Sequence, residues 1–266
     1  KNTKIGARIL LALALPVAGF LALSIIMIVQ KNEFARDIEQ LNKLAQLAPT
    51  ISALVHEMQK ERGASAGFIG SGGKKFTAKL PAQRKVTDTK KTDFDQAIDA
   101  FDTAPYGAAL SEKIAASRKA LTELATKRQA ITNLKITVPQ MAGYYTPTIG
   151  KLLVIVEEMA VLSSDARMTK AIAAYTSFLQ GKERAGIERA MGAAGFSAGQ
   201  FKPAIFKKFI ELIAQQNTFL SRFAIFASAE QRAFYKDTVK GAAVDEVNRM
   251  RKAAITSPQT GHTGGV

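Results

Sequence analysis

A chain of 266 residues with a formal charge of +15 is long enough to bury a sizeable core, as one large or two small domains, and basic enough that an acidic partner has to be considered. With no cysteine and only His56 and His262 as imidazoles, a disulfide framework is excluded, and no metal site, thiol site or cofactor is expected. Lysine and arginine are dispersed rather than gathered into a dense block with interleaved aromatics, so no nucleic acid partner is expected; Lys74, Lys75, Lys79, Lys202, Lys207 and Lys208 read as solvated faces.

Hydrophobic residues make up 47% of the sequence with little strand-type alternation, which predicts helices. From residue 9 to residue 29 no charge interrupts an apolar stretch, long enough at about 1.5 Å per residue to cross a hydrocarbon core of about 30 Å. Lys1, Lys4 and Arg8 precede it. The positive-inside bias then predicts residues 1–8 in the cytoplasm, a transmembrane helix over 9–29 and the remainder outside the membrane. A cleaved signal peptide is the rival reading, weakened by the length of the apolar region and the lack of a small-x-small cleavage site. Apolar spacing through Phe34, Ile38, Leu41, Leu44, Leu47, Ile51, Leu54 and Met58 extends one helix to about residue 69, with Pro49 as a place to kink. Gly70, Ser71, Gly72 and Gly73 stop it. The run Gly-Ser-Gly-Gly-Lys-Lys misses the phosphate-loop spacing and follows no strand, so it reads as an inter-helix loop.

A second helix is predicted from Pro81 to about residue 101, followed by a turn at Pro105. A third, capped by Ser111, carries Ile114, Leu121, Leu124 and Ile131 inward as far as Asn133. Residues 138–147 read as a short broken region in which Tyr144 and Tyr145, beside Pro147, pack a bundle end or line a pocket. Residues 152–162 are apolar but too short to span a bilayer and read as core. Ser163, Ser164 and Asp165 then restart a helix that runs to about residue 194. On the next helix Phe201, Phe206, Phe209, Phe219, Phe223 and Phe226 form a broad stripe, a core face rather than a cofactor box. Ser228 with Gln231 makes a capping box for a short helix, and the last helix covers about 242–256 with Val244, Val247, Met250 and Ala254 inward. Residues 257–266 read as a flexible tail leading to a further, downstream region.

One tripeptide occurs twice. Lys60-Glu61-Arg62 precedes the small residues Gly63, Ala64, Ser65, Ala66 and Gly67, and Lys182-Glu183-Arg184 precedes Ala185 and Gly186. Arg62 falls four residues after Met58, on the face carrying Ile51, Leu54, Val55, Ser65 and Phe68, so it points inward. An inward guanidinium needs an anion, unless it snorkels to solvent or pairs with a carboxylate of a neighbouring helix. In the second copy, motif alignment selects Arg184, whereas helical phase, with Ile172, Tyr175, Leu179, Gly186, Ala190 and Ala193 inward, selects Arg189. Both stay candidates.

The segment from His56 through Lys60-Glu61-Arg62-Gly63 to Ser65, with Lys182-Glu183-Arg184-Ala185-Gly186-Ile187-Glu188-Arg189-Ala190, resembles the nitrate- and nitrite-sensing (NIT) domain of bacterial chemoreceptors, sensor kinases and some antiterminators. The likeness covers about residues 41–255. It implies an all-α fold in which the transmembrane helix read from hydropathy is followed by an up-and-down helical sensor domain, residues 30–256, made of two four-helix bundles with a few arginines lining an anion pocket. A late arginine of that pocket is then Arg251 or Arg249, of which Arg251 lies nearer the inner face of its helix.

Nothing in the sequence assembles an enzyme: there is no Ser-His-Asp order and no metal-ligand spacing, and Glu157 and Glu158 are adjacent on one helix. Inward arginine suits a small planar oxyanion, because the guanidinium offers two parallel N–H donors that an ammonium cannot. The resemblance therefore implies the extracytoplasmic sensor domain of a transmembrane receptor, of the methyl-accepting chemotaxis type. It would sit in the bacterial inner membrane with its sensor in the periplasm and work as a homodimer. Nitrate or nitrite would be bound by Arg62, Arg189 and Arg251, with Arg184 and Arg249 as alternates. The competing reading is a helical protein–protein interaction module whose arginines pair with Glu57, Glu61, Glu183 or Glu188 and take no small-anion ligand.

Overall fold

A computed structural model describes residues 5–163 and 165–263, and among the described residues every regular element is a helix. Helix α1 (Ile5–Gly70) is shared between two compact units, residues 1–45 and residues 46–266. In the first unit Phe20, Leu23, Ile25 and Met27 are exposed, and the stretch is long and apolar enough to cross a membrane by length and composition, with mean hydropathy 2.6 in its most apolar window and none of that window buried. Lys1 and Lys4 lie outside the described residues.

In the second unit α1 passes through Pro49 without interruption. The ring costs the helix one backbone hydrogen bond, but Leu47, Ile51, Leu54, Val55 and Met58 are all buried on one continuous face and hold the chain in register on both sides. Helix α2 (Lys79–Asp99) begins two residues ahead of Pro81, which sits in the first turn where its missing N–H goes unused. A short 3-10 turn, Ala104–Tyr106, stacks Tyr106 on Phe101 with ring centroids 5.1 Å apart.

Three expected boundaries move. Ser111 is not a cap, because α3 (Ala108–Thr122) starts directly after Gly107, whose φ of 79° turns the chain where a side chain would be strained. The single helix expected to reach Asn133 is two, since α4 (Leu124–Thr132) restarts after Glu123; the inward residues Ile114, Leu121, Leu124 and Ile131 are buried as their spacing requires. Residues 138–147 are not broken. They open α5 (Val138–Leu162), started by a reciprocal capping box between Thr137 and Gln140 and by proline in the first turn. The helix continues across Pro147 because Tyr144, Tyr145, Thr148 and Ile149 are buried on either side of it, and packing outweighs the lost hydrogen bond.

Asp165 caps α6 (Ala166–Ser197), accepting from the backbone of Arg167 and Met168 at 2.9 and 2.8 Å. Helix α7 (Pro203–Phe226) packs along α6 through Phe178 and Phe223, 5.7 Å apart, and in the connection just before it the Phe201 ring occupies the space a side chain at Gly195 would need. Helix α8 (Ala229–Thr238) carries the expected Ser228–Gln231 capping box. Helix α9 runs Ala242–Thr260, so the expected tail is helical for its first turn; Ala254 and Ser257 are buried, and the helix ends at Gly261 in the left-handed conformation.

The end of α1 and α6 run side by side in the same direction. Ser52 accepts from the Tyr175 hydroxyl at 2.6 Å, His56 Nδ1 meets Lys182 Nζ at 2.9 Å, and Gln59 donates to Glu183 at 2.8 Å, in ascending order on both helices. The two copies of Lys-Glu-Arg are thereby laid next to each other.

Candidate functional site

At this crossing Arg62 of the first copy meets Glu183 of the second. Arg62 Nη1 and Nη2 reach Glu183 Oε1 and Oε2 at 2.5 and 3.2 Å, and Nη1 also donates to Thr146 Oγ1 of α5 at 2.9 Å. Both side chains are buried, 8% and 2% exposed, so the charge on either needs the other. Two glycines let the helices approach. A side chain at Gly186 would come within 3.0 Å of Arg62 Nη2, and one at Gly63 within 3.4 Å of Arg189 Nη2. Each guanidinium thus lies over the glycine of the opposite helix. Arg189 is exposed and has no hydrogen bond or ion pair among the described residues.

The neighbouring residue, Glu61, faces the other way. It is fully buried and accepts from Arg128 Nε at 2.7 Å, from Arg128 Nη2 at 2.8 Å and from the Tyr145 hydroxyl at 2.7 Å, with Arg84 Nε 3.9 Å away. Burial and the Glu61 charge hold the Tyr145 hydroxyl proton well above the usual range. Burial alone would weaken the Arg128 guanidinium, but hydrogen bonds and charge from Glu61 and Asp88 raise it instead. Arg84 is lowered by burial, with a further push from the Arg128 charge and against Tyr145, Glu61 and Asp88. This cluster ties α1 to α2, α4 and α5.

Of the remaining candidates, Arg251 forks onto Glu188, with both contacts at 2.6 Å, and donates to Gln216 at 2.9 Å, so α9 is held against α6 one residue before Arg189. The Glu188 hydrogen bonds raise the Arg251 guanidinium against burial. Arg184 turns toward α7, donating to Gln180 and Gln215 and lying 5.1 Å over the Phe219 ring. Arg249 is exposed and holds Glu246 on its own helix at 2.7 and 2.8 Å. Arg62 and Arg189 therefore share one crossing, Arg251 borders it through Glu188, and Arg184 and Arg249 point elsewhere. The carboxylate pairing foreseen in the interaction-module reading is present at Arg62 and Arg251. Thr146, Gln59 and Arg128 went unread in the sequence; Arg128 sits among polar neighbours and carries no signal there.

Residues 53–266 match the family described as nitrate and nitrite sensing. The chain belongs to the NIT family. It is 34% identical over 222 residues to the nitrate regulatory protein of Klebsiella oxytoca, an alignment covering 82% of this chain and 55% of that protein. The solved structure of the NasR transcription antiterminator superposes with a TM-score of 0.77 at 34% identity, over 85% of this chain and 62% of that one. The NIT chain thus spans about half to three fifths of the relatives it matches.

These relatives correct part of the reading. They are a nitrate regulatory protein and a transcription antiterminator, regulators rather than enzymes and not chemotaxis receptors, so the methyl-accepting receptor assignment is withdrawn. With a transcription antiterminator among these relatives, the exclusion of nucleic acid as a partner and the inner-membrane and periplasmic placement through residues 9–29 are withdrawn with it. The misreading has a physical origin. Length and apolarity, which residues 9–29 satisfy, do not by themselves distinguish a membrane span from other hydrophobic N-terminal helices, and dispersed charge does not report on regions outside the chain.

Proposed function

We propose that this chain is the nitrate- or nitrite-binding module of a longer regulatory protein, with the anion held at the α1–α6 crossing between Arg62 and Arg189. The observation that carries the reading is the pair of guanidiniums lying over Gly63 and Gly186, one of them without a partner among the described residues. Two guanidiniums at one crossing repel each other in the absence of a further anion, and a planar oxyanion accepting from both relieves that repulsion. Arg251 closes the same neighbourhood from α9 through Glu188. In this reading residues 30–256 form the sensor domain. They are arranged as two four-helix bundles, one from α1, α2, α3 with α4, and α5, the other from α1, α6, α7 and α9.

Saturating nitrate, at about a hundred times its dissociation constant, stabilises the folded domain by roughly 2.7 kcal/mol, or a rise in Tm of roughly 5–11 °C for a chain of this size. The same protein carrying Arg189→Lys loses most of that rise. An interaction module with structural ion pairs, favoured by the occupied forks of Arg62 and Arg251, predicts instead a melting point indifferent to nitrate and nitrite.

A further inference from the structure

We propose that Glu183 is a tethered competitor for the ligand: in the unliganded domain it fills the Arg62 fork, and it thereby sets the nitrate concentration at which the sensor responds and the anions that can displace it. This rests on the binding reading above. The Glu183 carboxylate is a planar oxyanion supplied by the protein itself, and it uses the same two Arg62 nitrogens, at 2.5 and 3.2 Å, that a bound nitrate would use. It is steadied from behind by Gln59 Nε2 at 2.8 Å and is 2% exposed, so the solvent does not compete for it. A carboxylate is the stronger base and, being tethered, is always at hand. A free anion that engages only Arg62 loses to it.

What a free anion can do, and Glu183 cannot, is engage two cations at once. Arg189 lies six residues further along α6, a rise of about 9 Å and about one and two-thirds turns away, and Glu183 pairs with Arg62 and not with Arg189. An oxyanion with several acceptor edges can sit between the two guanidiniums. A spherical halide offers no paired edges to either fork, so the competitor also discriminates by shape. On binding, the direct Arg62–Glu183 tie between α1 and α6 is exchanged for an anion bridge from Arg62 to Arg189. The ligand thus changes how two parallel helices are joined. Apparent affinity falls by the fraction of molecules in which Arg62 is free; if that is about a tenth, removing the competitor tightens binding about tenfold.

The test is isothermal titration of the full chain, kept in mild detergent because of its exposed apolar stretch, with nitrate, nitrite and chloride. Glu183→Gln keeps an acceptor for Arg62 and removes the charge; it is expected to bind nitrate about tenfold more tightly than wild type and to gain measurable chloride binding. Gln59→Leu, which loosens the carboxylate without touching either charge, is expected to tighten nitrate two- to threefold, and it decides the matter if circular dichroism shows that Glu183→Gln does not fold. Wild-type binding with unchanged or weaker nitrate affinity in the folded variants overturns the role of Glu183 and leaves the proposed function standing. No heat from nitrate or nitrite in wild type or either variant overturns both.

Discussion

The two copies of Lys-Glu-Arg lie on parallel helices, yet their glutamates have unlike surroundings. Glu61 is saturated: both oxygens of a fully buried carboxylate are engaged by the Arg128 fork, a tyrosine hydroxyl adds a third donor, and Arg84 stands close by. Glu183 likewise accepts three hydrogen bonds, two from the Arg62 fork and one from Gln59. The second arginine of its crossing, Arg189, however, has no partner among the described residues, whereas Arg84 beside Glu61 is held by Thr132 and the Arg128 carbonyl. Around Glu61 both arginines are already engaged, so the cluster leaves no cation for a further anion and acts as a fastener. A paired carboxylate next to an unpartnered guanidinium can give way to an anion that engages both arginines, and exchange is what a sensor needs.

Removing the fastener breaks that contrast most severely. Arg128→Ala leaves Glu61 charged in the core with only Arg84 nearby, which is expected to cost about 3–5 kcal/mol and lower Tm by roughly 6–20 °C. Whatever remains folded keeps its nitrate-dependent rise, because the α1–α6 crossing is untouched. Equal loss of both would join the two regions into one site.

Arg62→Lys sharpens the comparison from the other side. The ammonium keeps one contact with Glu183 but loses the fork and the Thr146 hydrogen bond, so the unliganded protein is expected to lose about 1–2 kcal/mol while nearly all of the nitrate-dependent rise disappears. Melting curves with and without nitrate separate the two quantities. A retained nitrate rise would make Arg62 a structural residue.

Gly186→Ala is the smallest change. Alanine is favoured over glycine in a helix interior by about 1 kcal/mol, and its methyl group meets only the flexible end of Arg62, at 3.0 Å. The unliganded Tm is therefore expected to hold or rise slightly while nitrate affinity, measured by titration, falls several-fold. A lowered Tm with intact affinity would show that Gly186 serves helix packing alone.

Much of this was readable before the fold was known, for reasons that differ by residue. Ile51, Leu54, Val55 and Met58 recur at helical spacing because one face of α1 is buried along its length, and the same phase turned Arg62 inward. On α6 phase was a poorer guide: Arg189, Ala190 and Ala193, expected inward, are exposed, although Arg189 reaches Gly63 of α1 while the half-buried Arg184 turns to α7. What stayed hidden was set by distant packing. The helix through Pro147 depends on a cap ten residues upstream and on burial of Tyr144 and Tyr145, both of which override the local proline signal. The Glu61–Arg128 pair spans 67 residues and joins a polar stretch of α4 that shows no apolar phase error to betray it. Glu183 was visible as a possible partner of Arg62, but nothing in a sequence 121 residues apart fixes that choice among four glutamates.

The most direct test is a crystal structure of the protein with bound nitrate. The expected result is a planar anion within hydrogen-bonding distance of both Arg62 and Arg189, with the Arg62–Glu183 contacts opened beyond their present 2.5 and 3.2 Å. Nitrate bound elsewhere, with the Arg62–Glu183 fork intact and Arg189 still unengaged, would contradict the account.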